Sequence, residues 1–147
     1  MPTRSARRKN SVAVQFAVQR RGLPRVGELR GWVLAASPVL EITLRIVGTA
    51  EGTRLNARFR KRKKPTNVLS FAYGGSTGDV VLCHPVIARE ARAQGKSLRA
   101  HYAHLVVHGV LHLRGYVHEK KRDAARMARA ERRILRRLGF GDPYALE

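Results

Sequence analysis

Apolar and polar positions repeat along this chain with two different periods, and the changes of period mark its elements. Ser11–Val18 alternates and is rich in valine, which predicts a strand. Val26–Ala36 has helical spacing, with Pro24 just before it. Leu40, Ile42, Leu44 and Ile46 recur at every second position, so Leu40–Val47 reads as a strand with one buried face. Thr49–Arg60 reads as a helix that opens near a threonine cap. Pro65 imposes an extended start on Thr66–Tyr73, a third strand. Gly74, Gly75 and Gly78 mark a loop, and Asp79–His84 is a fourth strand. Pro85–Gln94 is helical, with Gly95 placed to end it. Ser97 caps a helix that runs to about Arg114, where Gly115 stops it. A last helix covers Lys120–Leu138, closed by Gly139, with Met127, Ile134, Leu135 and Leu138 as its apolar stripe. No repeat or second domain is visible. The order predicts an α+β fold: a small mixed sheet with helices packed on it, one domain over 11–147 preceded by a basic, disordered tail at 1–10.

A chain of 147 residues buries a core without disulfides, and its single cysteine, Cys83, permits no intramolecular bridge. Both facts suit a reducing compartment and make the cytoplasm the expected location. The most apolar run, Leu105–Leu113, is interrupted by His108 and His112 and falls short of the roughly 20 residues of a membrane span. The basic start is followed only by a short apolar stretch broken by Gln15, so no signal peptide is expected. Charge changes the picture most. Thirty Lys and Arg against ten Asp and Glu give a net +20. Such a field attracts polyanions, with nucleic acid the first candidate and an anionic membrane the second. A GC-rich genome, which enriches arginine throughout, accounts for part of the excess.

Histidines 101, 104, 108 and 112 crowd one predicted helix, and His118 follows it. Residues four apart on a helix share a face, so His108 and His112 can bind one ion. His104 lies about 12 Å along the axis from His112, too far for all three to share a centre with bonds of about 2 Å. Gly115 allows the chain to turn back and bring His118 toward the pair. The spacing HxxxHxxGxxH is that of metzincin proteases, and three imidazoles leave a fourth tetrahedral position open, as catalytic zinc sites do. Imidazole also suits nickel, copper and iron. His101 and His104 read as packing or supporting residues, and His84 has no assigned role.

The protease form of this motif carries a glutamate directly after its first histidine, as general base. Here that position is Gly109, which removes the base. A metal site on a strongly basic chain points instead to a phosphate backbone. Arg58, Arg60, Lys61, Arg62, Lys63 and Lys64 supply cations for it, and Lys120–Arg137 offers a second basic face.

These motifs resemble the YbeY family of bacterial endoribonucleases and ribosomal RNA maturation factors, over roughly Leu55 to Tyr144. HGVLHLRGYVH at His108–His118 is similar to the family's H-G-x-L-H-L-x-G-Y-D-H. LNARFR at Leu55–Arg60, PTNVLSFAY at Pro65–Tyr73 and GDVVLC at Gly78–Cys83 match further signatures, and Met127, Glu131 and Asp142-Pro143-Tyr144 also fit. The resemblance implies an α+β protein with one zinc ion on His108, His112 and His118. It implies a single-strand-specific endoribonuclease acting in small-subunit ribosomal RNA 3′-end maturation and ribosome quality control, with ribosomal RNA and the small ribosomal subunit as partners. The family's functional arginine falls on Arg60, and Arg58 and Lys61, Arg62, Lys63 and Lys64 flank it as RNA-binding cations. Two positions depart: the family's aspartate before the third histidine is Val117, and the tyrosine of the arginine element is Phe59. The sequence shows no general acid, so the alternative is a non-catalytic, zinc-stabilised RNA-binding factor in ribosome assembly.

Overall fold

Alternation in the second strand puts Ile42, Leu44 and Ile46 on one face, and that face builds the main core. In a computed structural model of the chain, residues 11–37, 41–60, 66–74, 77–117 and 119–145 are described, Arg60 by its backbone alone. The expected tail at 1–10 lies outside these residues. The elements run β1 (Val12–Phe16), α1 (Val26–Ala36), β2 (Glu41–Val47), α2 (Thr49–Arg60), β3 (Val68–Ala72), β4 (Thr77–Cys83), α3 (His84–Gln94), α4 (Leu98–Leu113) and α5 (Lys121–Arg137). Every predicted element is present, with boundaries moved by a residue or two as frayed ends dictate. The cap of α2 is Gly48 rather than a threonine: its carbonyl accepts from the Gly52 N–H at 3.0 Å, and Thr49 is the first helical residue.

The sheet order is β1-β2-β4-β3. The first three of these pair in parallel, and β3 runs antiparallel on the edge, so the sheet is mixed as expected. Leu44 stands beside Val14 on one side and Val80 on the other. This face is covered by α1 and α4, with α5 packed behind α4. On the opposite face Val47, Leu69, Val81 and Cys83 form a smaller core with Leu55 of α2 and Phe71. No helix of the described residues is long and apolar enough to cross a membrane.

The central element is α4, buried on most sides: Tyr102, Val106, Val107, Val110 and Leu111 are closed to solvent. It reaches the sheet through Gly109. A Cβ there would lie 2.8 Å from Val80 Cγ1, 3.2 Å from Ser70 Oγ and 3.3 Å from Val68 Cγ2. The Ser70 hydroxyl donates to the Gly109 carbonyl at 2.9 Å, which pins the helix to the edge strand. The helix ends at Gly115, whose φ of 96° suits only glycine without strain. The Tyr116 N–H reaches the Leu111 carbonyl and the Gly115 N–H reaches that of His112, both at 3.0 Å, the paired bonds of a Schellman closure.

The contact at Gly109 generates a stability prediction. Gly109→Ala overpacks the helix–sheet interface and should cost about 1–3 kcal/mol. In a domain of this size that lowers Tm by about 2–4 °C per kcal/mol. Gly27→Ala, where α1 faces open space, should cause no loss. Calorimetry showing Gly109→Ala as stable as Gly27→Ala would mean that α4 shifts freely on the sheet.

Candidate metal centre

One face of α4 carries the histidines, and α5 delivers a carboxylate to them. The buried stripe of α5 is Met127, Ala130, Glu131, Ile134 and Leu135, so a glutamate occupies an apolar position. Glu131 is wholly buried. Its Oε2 lies 2.5 Å from His108 Nδ1 and 3.5 Å from His104 Nε2, and its Oε1 accepts from the Tyr144 hydroxyl. Burial alone pushes this carboxyl up, yet the bonds from His104, His108 and Tyr144 hold it down at about 2. Tyr144, raised by burial and by the Glu131 bond, stays a neutral donor. Asp142 accepts from the Tyr144 N–H at 2.8 Å and from Arg132 Nε at 3.1 Å, which fixes the segment that carries the tyrosine.

An ionised carboxylate can only accept, so His108 donates from Nδ1. That sets its tautomer and leaves the lone pair on Nε2. This atom faces His112 Nε2 at 3.1 Å, one helical turn away. The edge of a tetrahedron of ligands with bonds of about 2.0–2.1 Å is about 3.3 Å, so the two nitrogens fit neighbouring places around one ion. His104, His108 and Glu131 also bring one ligand atom each within 4.8 Å of one another and could hold a metal ion. In that triad, however, the 2.5 Å separation of His108 and Glu131 is a hydrogen-bond length, shorter than two ligands of one ion adopt. The distances favour Glu131 as the group that orients His108, the common partner of a metal-binding imidazole.

Comparison with known proteins decides the family. The family model described as Endoribonuclease YbeY matches residues 23–139. The chain belongs to the YbeY family. A relative from Nitrosomonas eutropha named Endoribonuclease YbeY is 49% identical over 140 residues, covering 92% of this chain and 99% of that one. A relative of the same name from Methylibium petroleiphilum is 49% identical over 148 residues, covering 97% and 99%. The solution structure of a Thermotoga maritima protein, 21% identical, superposes with a TM-score of 0.55 over 92% of this chain and 99% of that chain, a likeness of fold.

Within this YbeY chain the predicted residues fare differently. His108 and His112 come together as the helical spacing requires. His118, Lys61, Arg62, Lys63 and Lys64 lie outside the described residues, and Arg60 is placed only as the last residue of α2. Arg58 is exposed, with its guanidinium 5.3 Å from the Phe59 ring centre. His101 is buried against Glu90 at 2.9 Å, which in turn accepts from Asn67. His104 supports Glu131, and His84 shares a 2.8 Å hydrogen bond with the Tyr102 hydroxyl. Val117 is exposed where the family motif has an aspartate, so the visible orienting carboxylate comes from α5 instead. Glu131 and Tyr144 matched the family motif in the sequence but carried no role there. The available signal was a lone acid within the apolar stripe of α5, since a buried carboxylate requires partners.

The orienting role predicts a spectroscopic change. In metal-free protein, nitrogen NMR of the imidazoles should show His108 as the Nδ1–H tautomer. Glu131→Gln should shift it toward a mixture and lower stability by about 1–3 kcal/mol through the donor left without an acceptor. An unaltered tautomer in Glu131→Gln would remove the carboxylate from this role.

Proposed function

We propose that this chain cleaves phosphodiester bonds in single-stranded RNA at one metal ion, zinc by ligand preference, held by His108, His112 and His118. The observation that carries the reading is the His108–His112 pair, preset by a buried carboxylate. It stands in a chain whose relatives bear the name endoribonuclease. When bound, the ion supplies Lewis acidity, acidifying water and polarising an oxygen on phosphorus. Glu131 keeps the lone pair of His108 aimed into the site. Arg60 stabilises the charge that develops on the phosphoryl oxygens. Arg58, Lys61, Arg62, Lys63 and Lys64 hold the RNA backbone near it. Gly109 supports nuclease over protease chemistry, because the close packing on β3 and β4 leaves no space for the glutamate base of the protease motif.

The substrate class we assign is small-subunit ribosomal RNA at its 3′ end, with the small ribosomal subunit as partner and the cytoplasm as location. The same reading takes 11–147 as one ribonuclease domain and 1–10 as a basic tail. It rests on the family membership and on the +20 charge, which favours a polyanionic partner.

Two measurements test it. Purified protein should carry about one zinc ion per chain, and His108→Ala or His118→Ala should lose it, whereas His104→Ala should retain it. Elemental analysis with full zinc in both of the first two variants would refute the ligand set. Single-turnover cleavage of a labelled single-stranded RNA, with binding measured in parallel, tests the arginine. Arg60→Ala should lower the rate about 10²–10³-fold while affinity falls far less, and Arg60→Lys should rescue only in part. Equal losses of rate and affinity would make Arg60 a binding residue. Zinc-replete wild type that cleaves no RNA would favour the non-catalytic assembly factor.

A further inference from the structure

The outer face of α5 carries a feature that the cleavage site does not use. Arg122, Arg126, Arg129, Arg133 and Arg136 are spaced four, three, four and three residues apart, and all five are exposed. At 100° per residue they fall within about 80° of arc, a straight row opposite the buried stripe. At 1.5 Å per residue the row is about 21 Å long. Like charges at these spacings repel, so the row works against its own helix. Relief by acids is absent: the two acidic residues of α5, Asp123 and Glu131, lie off the row, and among the described residues none of its five guanidiniums is in an ion pair. Arg126 rests on the Tyr116 ring at 5.0 Å, and Arg129, Arg133 and Arg136 line one shallow cavity with Arg132 and Arg137.

We infer that this row docks the phosphate backbone of double-helical RNA, as an anchoring surface separate from the cleavage site. The inference rests on the RNA-cleaving reading for its choice of polyanion. Three observations select a duplex. The row is rigid and straight, because its helix is bolted down by five buried side chains along the opposite stripe. It presents guanidiniums at a regular pitch, which matches a regular array of phosphates. It offers no stacking platform of its own of the kind that single-strand binders use: α5 has no aromatic residue, and one face of each flanking ring, Tyr116 and Tyr144, already carries the chain's own Arg126 or Arg132. A membrane surface fits poorly, since the apolar side of α5 is spent on the core and none remains to enter a bilayer. The enzyme thus holds a structured region of its substrate on α5 while the adjoining single strand enters the metal centre.

The test uses full-length, metal-replete protein and a blunt-ended RNA duplex without a single-stranded segment. The triple variant Arg129→Gln, Arg133→Gln, Arg136→Gln should bind the duplex about tenfold more weakly and reduce the slope of log affinity against log salt by about 2–3. The corresponding triple lysine variant should keep most of the affinity, which separates charge from misfolding. A charge-matched control, Arg21→Gln, Arg54→Gln, Arg92→Gln, removes three exposed cations elsewhere and should bind almost as wild type. Cleavage of a short single-stranded RNA should be unchanged in the charge-matched control, and in the row variant it should fall by a smaller factor than duplex affinity. Equal losses in the row variant and the control would mean that net charge alone acts, and would overturn the inference. Unchanged duplex binding, or a loss confined to phosphatidylserine vesicles, would overturn it too. Wild type that cleaves no RNA but binds the duplex through the row would sink the cleavage reading and leave this surface standing.

Discussion

A carboxylate cut off from water must receive its hydrogen bonds from protein, and Glu131 receives them from three directions. His108 and His104 reach it from α4, and Tyr144 from the segment beyond α5. The bond to His108 does chemical work at a distance: by occupying Nδ1 it commits Nε2 to face His112. Orientation of the imidazole pair, docking of the last helix and the course of the C-terminal segment therefore depend on one buried charge. Removing one member of such a network costs more than its bond, because the remaining polar groups stay buried without partners.

The second constraint is steric. Helix α4 lies close enough to β4, the strand beside the edge, that a methyl group at Gly109 would collide with Val80. Glycine at this point does two things at once. It removes the glutamate that peptide hydrolysis would need, and it lets α4 settle at the depth where the α5 carboxylate reaches the histidines. The sheet supports this on both faces, with α1 and α4 on one side and α2 on the other.

Much of this was legible in the sequence, for local reasons. Alternation in Leu40–Val47 and helical spacing in Val26–Ala36 are properties of single segments, and both elements formed where the pattern put them. The His108–His112 pair is likewise local, one turn apart on one helix. The orienting role of Glu131 was not legible, because 23 residues separate it from His108 and only tertiary packing joins them. The same holds for Tyr144, 40 residues from His104. A charged residue inside an apolar stripe announces that a partner exists, but pattern alone does not say which histidine answers.

The separation of Glu131 from the helix that it serves also sets which motion would dismantle the site. Helix α5 is held by one apolar stripe while its outward face is crowded with like charges. An opening that lifts α5 takes the carboxylate with it and frees His108 to change tautomer, even while the sheet and α4 stay folded. The relevant free energy for losing the site is then that of a local opening, smaller than that of global unfolding. Hydrogen exchange at α5 amides, rather than the midpoint of thermal denaturation, is the quantity that reports how long the imidazole pair stays aligned.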